Sequence, residues 1–328
     1  MLLKACANIK EKIMNNSIIG IGNAIIDVFV HVDDAFLSKN NLTKGSMKLF
    51  EKKEFEELKK KIKIEKIIAG GSVANTMVGI SFLNGDSSFI GKIGLDDFGK
   101  LYKKNLEEAK VKFLYGEKEE TLPTGASIIL ITPDSERTMC TYLGISSQLS
   151  SEDIDENIFL NKKLIFLEGY LWDKGPSEKM FKKVMNIAKK NKIESAMSLS
   201  DVFCVNRHKK EFLNLFINDL NILIGNENEI IELTSSKNLL ESINKLKNFN
   251  KLVVITRSEK GSMAIQNGEV TDCKSIRVDK IMDLTGAGDL FAAGFLKEYL
   301  DKSEIKECLL NGSKLASKII QKIGARLN

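Results

Sequence analysis

The middle of the chain alternates short apolar segments with amphipathic ones, and this pattern limits the folds open to it. Predicted strands lie at 164–167, 195–199, 222–224 and 252–256, and predicted helices follow them at 177–190, 207–218, 227–233 and 239–246. Strands that alternate with helices form parallel sheets covered on both faces, and such sheets bind ligands at the carboxyl ends of the strands. The pattern therefore predicts an α/β fold with its functional residues along one edge of a mainly parallel sheet.

The remaining segments extend this pattern in both directions. We predict strands at 17–22, 24–31, 87–90, 111–114, 126–131 and 138–143, and helices at 51–61, 72–82, 96–109 and 306–323. The segment 32–50 is polar and carries no clear period, so it is expected to be irregular.

The composition narrows the class of protein. With 328 residues, the chain could hold two ordinary domains or one large α/β domain. The hydrophobic content of 43% and charged content of 28% are those of a soluble globular protein. The net charge of +5 is small and the lysines alternate with glutamates, which argues against a nucleic-acid surface. No apolar run reaches the ~20 residues that span a bilayer. We expect a cytoplasmic protein that binds neither nucleic acid nor membrane, with residues 1–16 as a loose extension.

Cysteine and histidine usage restricts the chemistry. The five cysteines are widely spaced without a Cys-x-x-Cys pair, which argues against a disulfide framework or a structural zinc site. The two histidines, His31 and His208, are far apart in sequence. The sequence therefore indicates an enzyme that uses carboxylates rather than a histidine-based or metal-cluster site.

The stretch Asp283-Leu-Thr-Gly-Ala-Gly-Asp289 precedes an apolar helix pattern and is the strongest candidate for a site. Gly286 and Gly288 lie where the helix begins, and a helix N-terminus offers free N–H groups and a partial positive charge to an anion. Asp289 is placed to take a proton from a hydroxyl that attacks a phosphoryl group. A turn whose carboxylates only serve the helix dipole remains the alternative.

This stretch resembles the C-terminal signature of the ribokinase (PfkB) family of sugar and nucleoside kinases, usually Asp-Thr-x-Gly-Ala-Gly-Asp, with Leu284 where threonine is usual. The resemblance implies an anion hole formed by Gly286, Ala287 and Gly288, with Asp289 as the base. It also implies a three-layer α/β/α sandwich with a small β lid. The cofactors implied are ATP and Mg²⁺, and a dependence on a monovalent cation stays open.

Two N-terminal motifs extend the resemblance to the substrate side. Gly22-Asn-Ala-Ile-Ile-Asp27 is similar to the adenosine-kinase branch of the family, which implies that Asp27, beside Asn23, holds two ribose hydroxyls. A carboxylate suits this task because it accepts from both. Gly70-Gly-Ser-Val-Ala-Asn75 resembles the second family signature, in which Gly71 and Asn75 contact the sugar. Without the resemblance, these residues could equally be a polar strand end and a common glycine turn.

Two further residues are candidates near the substrate. Arg137 begins a stretch that resembles the adenosine-kinase pattern in which an arginine reaches the transferred phosphoryl group, although a surface arginine in a hairpin is the alternative. Tyr170 follows a predicted strand and could stack on a flat base, or it could be a core tyrosine.

The nucleotide side is assigned by resemblance to later motifs. Asn226-Glu-Asn-Glu229 matches the family's Asn-x-x-Glu motif, which implies that Asn226 lies near the phosphates and that Glu229 orders Mg²⁺ through water. An acid-rich helix N-terminus is the alternative. A Walker A loop is absent from the sequence, so a P-loop kinase is excluded. The other residues expected at ATP are Thr256, Ser258, Gly261, Gly288 and Asn311.

These motifs together predict one ribokinase-like domain at 17–328, with a β lid built from parts of about 24–50 and 111–145. The expected activity is ATP-dependent phosphorylation of a primary hydroxyl, the 5′-hydroxyl of an adenosine-like nucleoside. A sugar kinase of ribokinase or fructokinase type is the alternative, and a non-catalytic ligand-binding regulator is a third hypothesis. The expected partner is a small-molecule substrate, and both a monomer and a homodimer fit the sequence.

Overall fold

The computed structural model describes residues 17–116, 120–134, 136–175 and 177–327. The extension predicted at 1–16 lies outside them. In chain order the strands are β1 (Ile18–Ile21), β2 (Ile25–His31), β3 (Met47–Leu49), β4 (Lys66–Ala69), β5 (Ser87–Ile90), β6 (Lys112–Phe113), β7 (Gly125–Ile131), β8 (Arg137–Tyr142), β9 (Leu164–Glu168), β10 (Glu194–Ser198), β11 (Ile222–Asn226), β12 (Leu252–Thr256), β13 (Ser262–Gln266) and β14 (Glu269–Cys273).

The α-helices follow the same chain order. They are α1 (Asp34–Lys39), α2 (Lys52–Lys59), α3 (Ser72–Phe82), α4 (Asp97–Glu108), α5 (Ser177–Asn191), α6 (Val202–Asn218), α7 (Glu227–Leu233), α8 (Leu239–Leu246), α9 (Ala287–Leu300) and α10 (Ile305–Ile319).

The larger sheet carries nine strands in the described residues, in the order β14-β13-β12-β11-β10-β9-β1-β5-β6. Neighbouring strands run parallel from β6 to β12, and β13 pairs antiparallel with both β12 and β14. The α/β fold with a mainly parallel sheet that the sequence predicted is therefore confirmed. The carboxyl ends of the parallel strands meet along one edge, where the predicted motifs also lie.

Strand β1 explains how helices cover both faces of this sheet. Its four residues are all buried, and side chains alternate between the faces of a strand. Ile18 belongs to a hydrophobic cluster with residues of α3, α9 and α10, whereas Ile19 and Ile21 belong to a second cluster with residues of α5 and α6. The two clusters make the three layers of the sandwich.

The smaller sheet has the order β3-β8-β7-β2-β4. Strand β4 lies outside the two segments from which we predicted the lid, and it pairs with β2 antiparallel. Strand β6, which lies inside those segments, pairs instead with β5 of the larger sheet. The smaller sheet thus draws on a third part of the chain.

The prediction that 32–50 is irregular is wrong, because this segment contains α1 and β3. The side chain of Asp33 caps α1 by accepting the backbone N–H of Phe36, and Leu37 is the one buried residue of that helix. A helix that buries one side chain in six gives almost no apolar period. Strand β3 has only three residues and pairs with β8.

Two other predictions needed correction. Helix α6 begins at Val202 rather than at 207, because Asp201 caps it by accepting the N–H of Cys204. The antiparallel strands β13 and β14 were not predicted.

Four cysteines, Cys140, Cys204, Cys273 and Cys308, are free and buried. Within the described part of the chain, every helix is too short or too polar to traverse a bilayer.

Candidate active site

A cavity of about 780 Å³ lies where the carboxyl ends of β1 and β9 face the smaller sheet. It brings together residues from motifs that are far apart in the sequence. The predicted site residues that line it are Asn23, Asp27, Gly71, Asn75, Arg137, Tyr170, Gly286 and Asp289. The predicted catalytic and substrate-side residues therefore converge on one space, apart from Ala287 and Gly288, which continue the adjacent helix.

Asp289 lies in the first turn of α9, and two side chains of α3 hold its carboxylate. Ser72 Oγ donates to Oδ1 at 2.7 Å, and Asn75 Nδ2 donates to Oδ2 at 2.9 Å. Burial raises the pKa of Asp289 to about 6, against the lowering effect of these two hydrogen bonds. An acid with this pKa is largely ionised at neutral pH, and it is a much stronger base than an exposed aspartate.

Gly286 is the N-cap of α9 and adopts a left-handed conformation with φ of 77°. A side chain there would be strained, and its Cβ would lie 2.7 Å from Cα of Ala325. The first helical residues, Ala287 and Gly288, follow directly. Gly288 is exposed and has no heavy atom within 4 Å of where its Cβ would stand. The N–H of Ala287 donates to the backbone oxygen of Leu284 at 3.2 Å, whereas the space beside Gly288 is open. The N-terminus of α9 thus offers room and a partial positive charge for an anion beside Asp289.

Arg137, at the start of β8, crosses from the smaller sheet to the Asp283–Asp289 segment. Its guanidinium forms an ion pair with Asp283 and donates to the Thr285 hydroxyl. The Asp283 side chain is fully buried and also accepts the N–H groups of Thr285 and Gly324. The guanidinium carbon lies 5.6 Å from the centre of the Phe29 ring. The side chain of Arg137 is 14% exposed, so it is not a freely solvated surface arginine.

Asp27, on β2, packs against the segment Gly70–Asn75, which begins α3 and is called the sugar motif below. A Cβ at Gly70 would lie 2.2 Å from Asp27 Oδ2. Burial raises its pKa to about 7, with Arg326 and Arg137 opposing the rise and Asp289 adding to it. Gly71 has φ of 88°, and a Cβ there would lie 2.4 Å from the backbone oxygen of Asn23. Only glycine therefore allows the start of α3 to pack against the loop between β1 and β2, which carries Asn23.

Glu168 is a site residue that the sequence analysis did not assign. It ends β9 and lines the cavity, and it is 1% exposed. Its carboxylate accepts the N–H of Asn23 at 2.8 Å and the N–H of Val73 at 3.0 Å. Burial raises its pKa to about 7. Glu168 thus joins the Gly22–Asp27 motif to the Gly70–Asn75 motif. The signal for it in the sequence was an acid at the end of an otherwise apolar strand.

Tyr170 lines the cavity while its edge packs against the second hydrophobic cluster. Its backbone N–H donates to Ser200 Oγ at 3.2 Å, and its hydroxyl donates to the Ser200 backbone oxygen at 3.4 Å. The two interpretations of Tyr170, a base platform and a packed tyrosine, are therefore compatible.

The predicted ATP residues lie outside this cavity: Asn226, Thr256, Ser258 and Gly261 are at the next strands of the sheet, and Gly288 and Asn311 are on helices. Asn226 and Thr256 are paired neighbours at the ends of β11 and β12, and Gly261 immediately precedes β13. Ser258 is exposed in the turn between β12 and β13. Asn311 is on α10, where its amide donates to Glu307 of the same helix. The strand order places Asn226 and Thr256 on the same edge of the sheet as the cavity, because β12, β11, β10 and β9 are consecutive neighbours in the sheet.

Asn226 and Glu229 form a reciprocal cap at the start of α7. Asn226 Oδ1 accepts the Glu229 N–H at 2.9 Å, while the Glu229 carboxylate accepts from the Asn226 backbone N–H at 2.9 Å and from its amide at 2.6 Å. Glu229 is 5% exposed, and burial raises its pKa to about 7. Each carboxylate oxygen keeps a free lone pair, so this oxygen set fits Mg²⁺ held through water better than direct ligation.

The geometry defines a class of protein: an α/β enzyme with a half-buried carboxylate beside a helix N-terminus, under a small sheet. Residues 40–328 match the model of the pfkB family carbohydrate kinases, and the chain belongs to this family. The prediction of a ribokinase-like kinase is thereby confirmed.

Solved structures and curated relatives agree with this assignment. An adenosine kinase from Sinorhizobium meliloti superposes with a TM-score of 0.90 at 33% identity, covering 95% of this chain and 96% of that one. A probable sugar kinase from Rhizobium etli gives a TM-score of 0.90 at 32% identity, covering 95% of both chains. Adenosine kinase 2 of Arabidopsis thaliana is 26% identical over 94% of each chain.

Proposed function

We propose that this protein transfers the terminal phosphoryl group of ATP to the 5′-hydroxyl of an adenosine-like nucleoside. The observation that carries the proposal is Asp289, a carboxylate with a raised pKa, held by Ser72 and Asn75 at the N-terminus of α9. It can accept a proton beside a group of N–H donors that suits a phosphate.

The wall of the cavity supports a nucleoside over a free sugar. The smaller sheet contributes apolar side chains to it, namely Ile25, Met47, Leu49 and Met139. A purine base needs such an apolar slot, whereas a free sugar is covered with hydroxyl groups that need polar partners. The polar residues Asn23, Asp27 and Asn75 line the same cavity and suit the ribose. The adenosine kinases among the relatives point the same way.

The reaction would proceed by in-line displacement. Asp289 takes the proton of the hydroxyl as its oxygen forms a bond to the terminal phosphorus, and the bond from phosphorus to ADP breaks with its electron pair leaving on ADP. The N–H groups of Gly286, Ala287 and Gly288 offset the charge that develops on the phosphoryl oxygens, and Arg137 adds its positive charge from the smaller sheet. Mg²⁺, when held through water by Asn226 and Glu229, would neutralise part of the phosphate charge.

The test is ADP release from Mg-ATP with adenosine, inosine, guanosine, ribose and fructose offered separately. The highest kcat/KM for adenosine supports the proposal, and the highest value for ribose or fructose replaces it with a sugar kinase. The Rhizobium etli structure gives that second candidate its support. Binding of a nucleoside without ADP release would indicate a regulator. Repeating the assay in potassium and tetramethylammonium chloride tests for the monovalent-cation dependence. We also propose a cytoplasmic location, which the free, buried cysteines support.

A further inference from the structure

Residues 324–327 follow α10 and pack against the Asp283–Asp289 segment. The N–H of Gly324 donates to Asp283 Oδ2 at 2.6 Å. Ala325 is 5% exposed and occupies the space in which a side chain at Gly286 would stand. Leu327 is 6% exposed and belongs to the first hydrophobic cluster. Residues 324–327 therefore support the Asp283–Asp289 segment from the side that faces the protein interior.

Arg326 lies between these buried residues, and its side chain points towards the sugar motif of α3. Its Nε donates to Asn75 Oδ1 at 3.0 Å, and its Nη2 donates to the backbone oxygen of Gly70 at 3.1 Å. The Tyr102 hydroxyl donates to the same Gly70 oxygen at 3.2 Å. Arg326 is not among the residues that line the cavity, so it acts on a substrate only through its neighbours.

The first consequence of this contact is the orientation of the Asn75 amide. A guanidinium can only donate hydrogen bonds, so the amide must turn its oxygen towards Arg326. Its Nδ2 then faces Asp289 and donates to Oδ2 at 2.9 Å. A flipped amide would place two donors against each other and an oxygen against a carboxylate. The arginine thus determines which atom of Asn75 meets Asp289.

The second consequence concerns the charge of the site. Asp289 is faced by Ser72 and Asn75 from α3 and by the charge of Arg326, and Asp27 is faced by Arg326, Arg137, Asp289 and Asp283. Glu168 adds a further buried acid nearby. Burial raises the pKa of both aspartates, and Arg326 lowers the pKa of both. Without its positive charge, both carboxylates would hold their protons to higher pH.

We propose that Arg326 is a positioning residue for phosphoryl transfer, which aims the Asn75 amide at Asp289 and places its positive charge beside Asp27 and Asp289. This role rests on the proposed function, because it assigns the base to Asp289. It differs from a merely structural role, since it requires the pH dependence of turnover to change when the charge is removed.

The test compares wild type, Arg326→Met, Arg326→Lys and the control Lys318→Met, which removes an exposed cation from the preceding helix. Each is assayed for kcat and KM from about pH 5 to pH 9, with the alcohol that wild type phosphorylates fastest. For Arg326→Met we expect kcat to fall by roughly 10- to 100-fold, and the acidic limb of the kcat profile to move up by about one pH unit or more. Lys318→Met should match wild type.

Arg326→Lys separates the two effects, because a lysine keeps the charge but cannot reproduce the planar fork of donors. It should restore the acidic limb while kcat stays below wild type. It also keeps the test decisive if Arg326→Met does not fold, as judged by circular dichroism. A folded Arg326 variant with the wild-type kcat and pH profile would overturn the positioning role alone. Absence of turnover by wild type with every alcohol would overturn the proposed function, and this role with it.

Discussion

Asn75 Nδ2 donates a 2.9 Å hydrogen bond to Asp289 Oδ2, joining two residues that are 214 positions apart in the sequence. This bond connects the sugar motif of α3 directly to the proposed base. The residue that would contact a substrate hydroxyl is therefore bonded to the residue that would deprotonate it. Substrate position and base position are coupled in this site, and the predictions below follow from that coupling.

Replacing Asp289 by asparagine should lower kcat by roughly 10²-fold or more, because the amide cannot accept the proton of the attacking hydroxyl. The fold should persist, since the amide still offers an oxygen to Ser72. Initial-rate kinetics with thermal unfolding as a check on folding would measure both. The matched control is Asp97→Asn, whose carboxylate is fully exposed on α4. Full activity of Asp289→Asn would remove Asp289 from the mechanism.

Activity should fall at acidic pH, because both proposed carboxylates must be ionised to work. The pKa of Asp27 is raised to about 7 and that of Asp289 to about 6, so protonation removes the ribose acceptor first and then the base as the pH falls through these values. We expect log kcat/KM to rise with pH through this range and to level off above it.

The substitution Asp27→Asn tests which aspartate produces each of the two acidic limbs of the pH profile, one near pH 7 and one near pH 6. It should remove the limb near pH 7 and leave the limb near pH 6, while the KM for the nucleoside rises by about tenfold or more, because a charge-assisted hydrogen bond is lost. Complete profiles of kcat and kcat/KM for the variant and wild type would show this. An Asp27→Asn profile that superimposes on wild type would exclude Asp27 as the titrating group.

Replacing Arg137 by lysine should lower kcat by about 10- to 100-fold with little loss of stability. The ammonium keeps the charge beside Asp283, but it cannot bond Asp283 and Thr285 through one planar fork. Arg137→Met should also destabilise the fold by about 3–5 kcal/mol, because the buried Asp283 carboxylate loses its ion pair. Kinetics together with urea unfolding would separate these effects. If Arg137→Lys kept the wild-type kcat, the arginine would have no role in transfer.

Glu229 offers a test of capping against metal binding. Glu229→Ala should cost about 1–2 kcal/mol of stability, because the reciprocal cap with Asn226 is lost. Glu229→Gln should keep much of the cap but raise the Mg²⁺ concentration needed for half-maximal activity by about tenfold. Glu227→Gln, in the same helical turn, is the control. An unchanged Mg²⁺ dependence in Glu229→Gln would show that Glu229 caps the helix and does not bind Mg²⁺.

The sequence was sufficient for the parts of the fold that follow a period. Buried parallel strands such as Ile222–Asn226 and Leu252–Thr256 are continuous apolar runs, and their paired ends bring Asn226 beside Thr256. The strand Lys66–Ala69 was missed because it is partly exposed at the edge of the smaller sheet, where no apolar pattern is needed. The helix Asp34–Lys39 was missed because it buries only Leu37.

The candidate site divides in the same way. Asn75 and Asp289 could be proposed from their motifs, since each stands at a fixed distance from glycines that open a helix. Arg326 has no such local pattern, because its partners Asn75 and Gly70 are 251 and 256 positions away. Glu168 could have been suspected as an acid that ends an apolar strand, but only its two backbone partners reveal what it joins.

The contact between Asn75 and Arg326 also sets an order for biosynthesis. A ribosome adds Arg326 251 residues after Asn75, so the nascent protein holds the sugar motif long before the group that orients its amide is made. Intermediates that stop short of 324–327 would lack the contacts to Asn75, Gly70, Asp283 and Gly286. If Arg326 has the proposed positioning role, the site is complete only after residues 324–327 have been synthesised, and products that end before them should turn over more slowly.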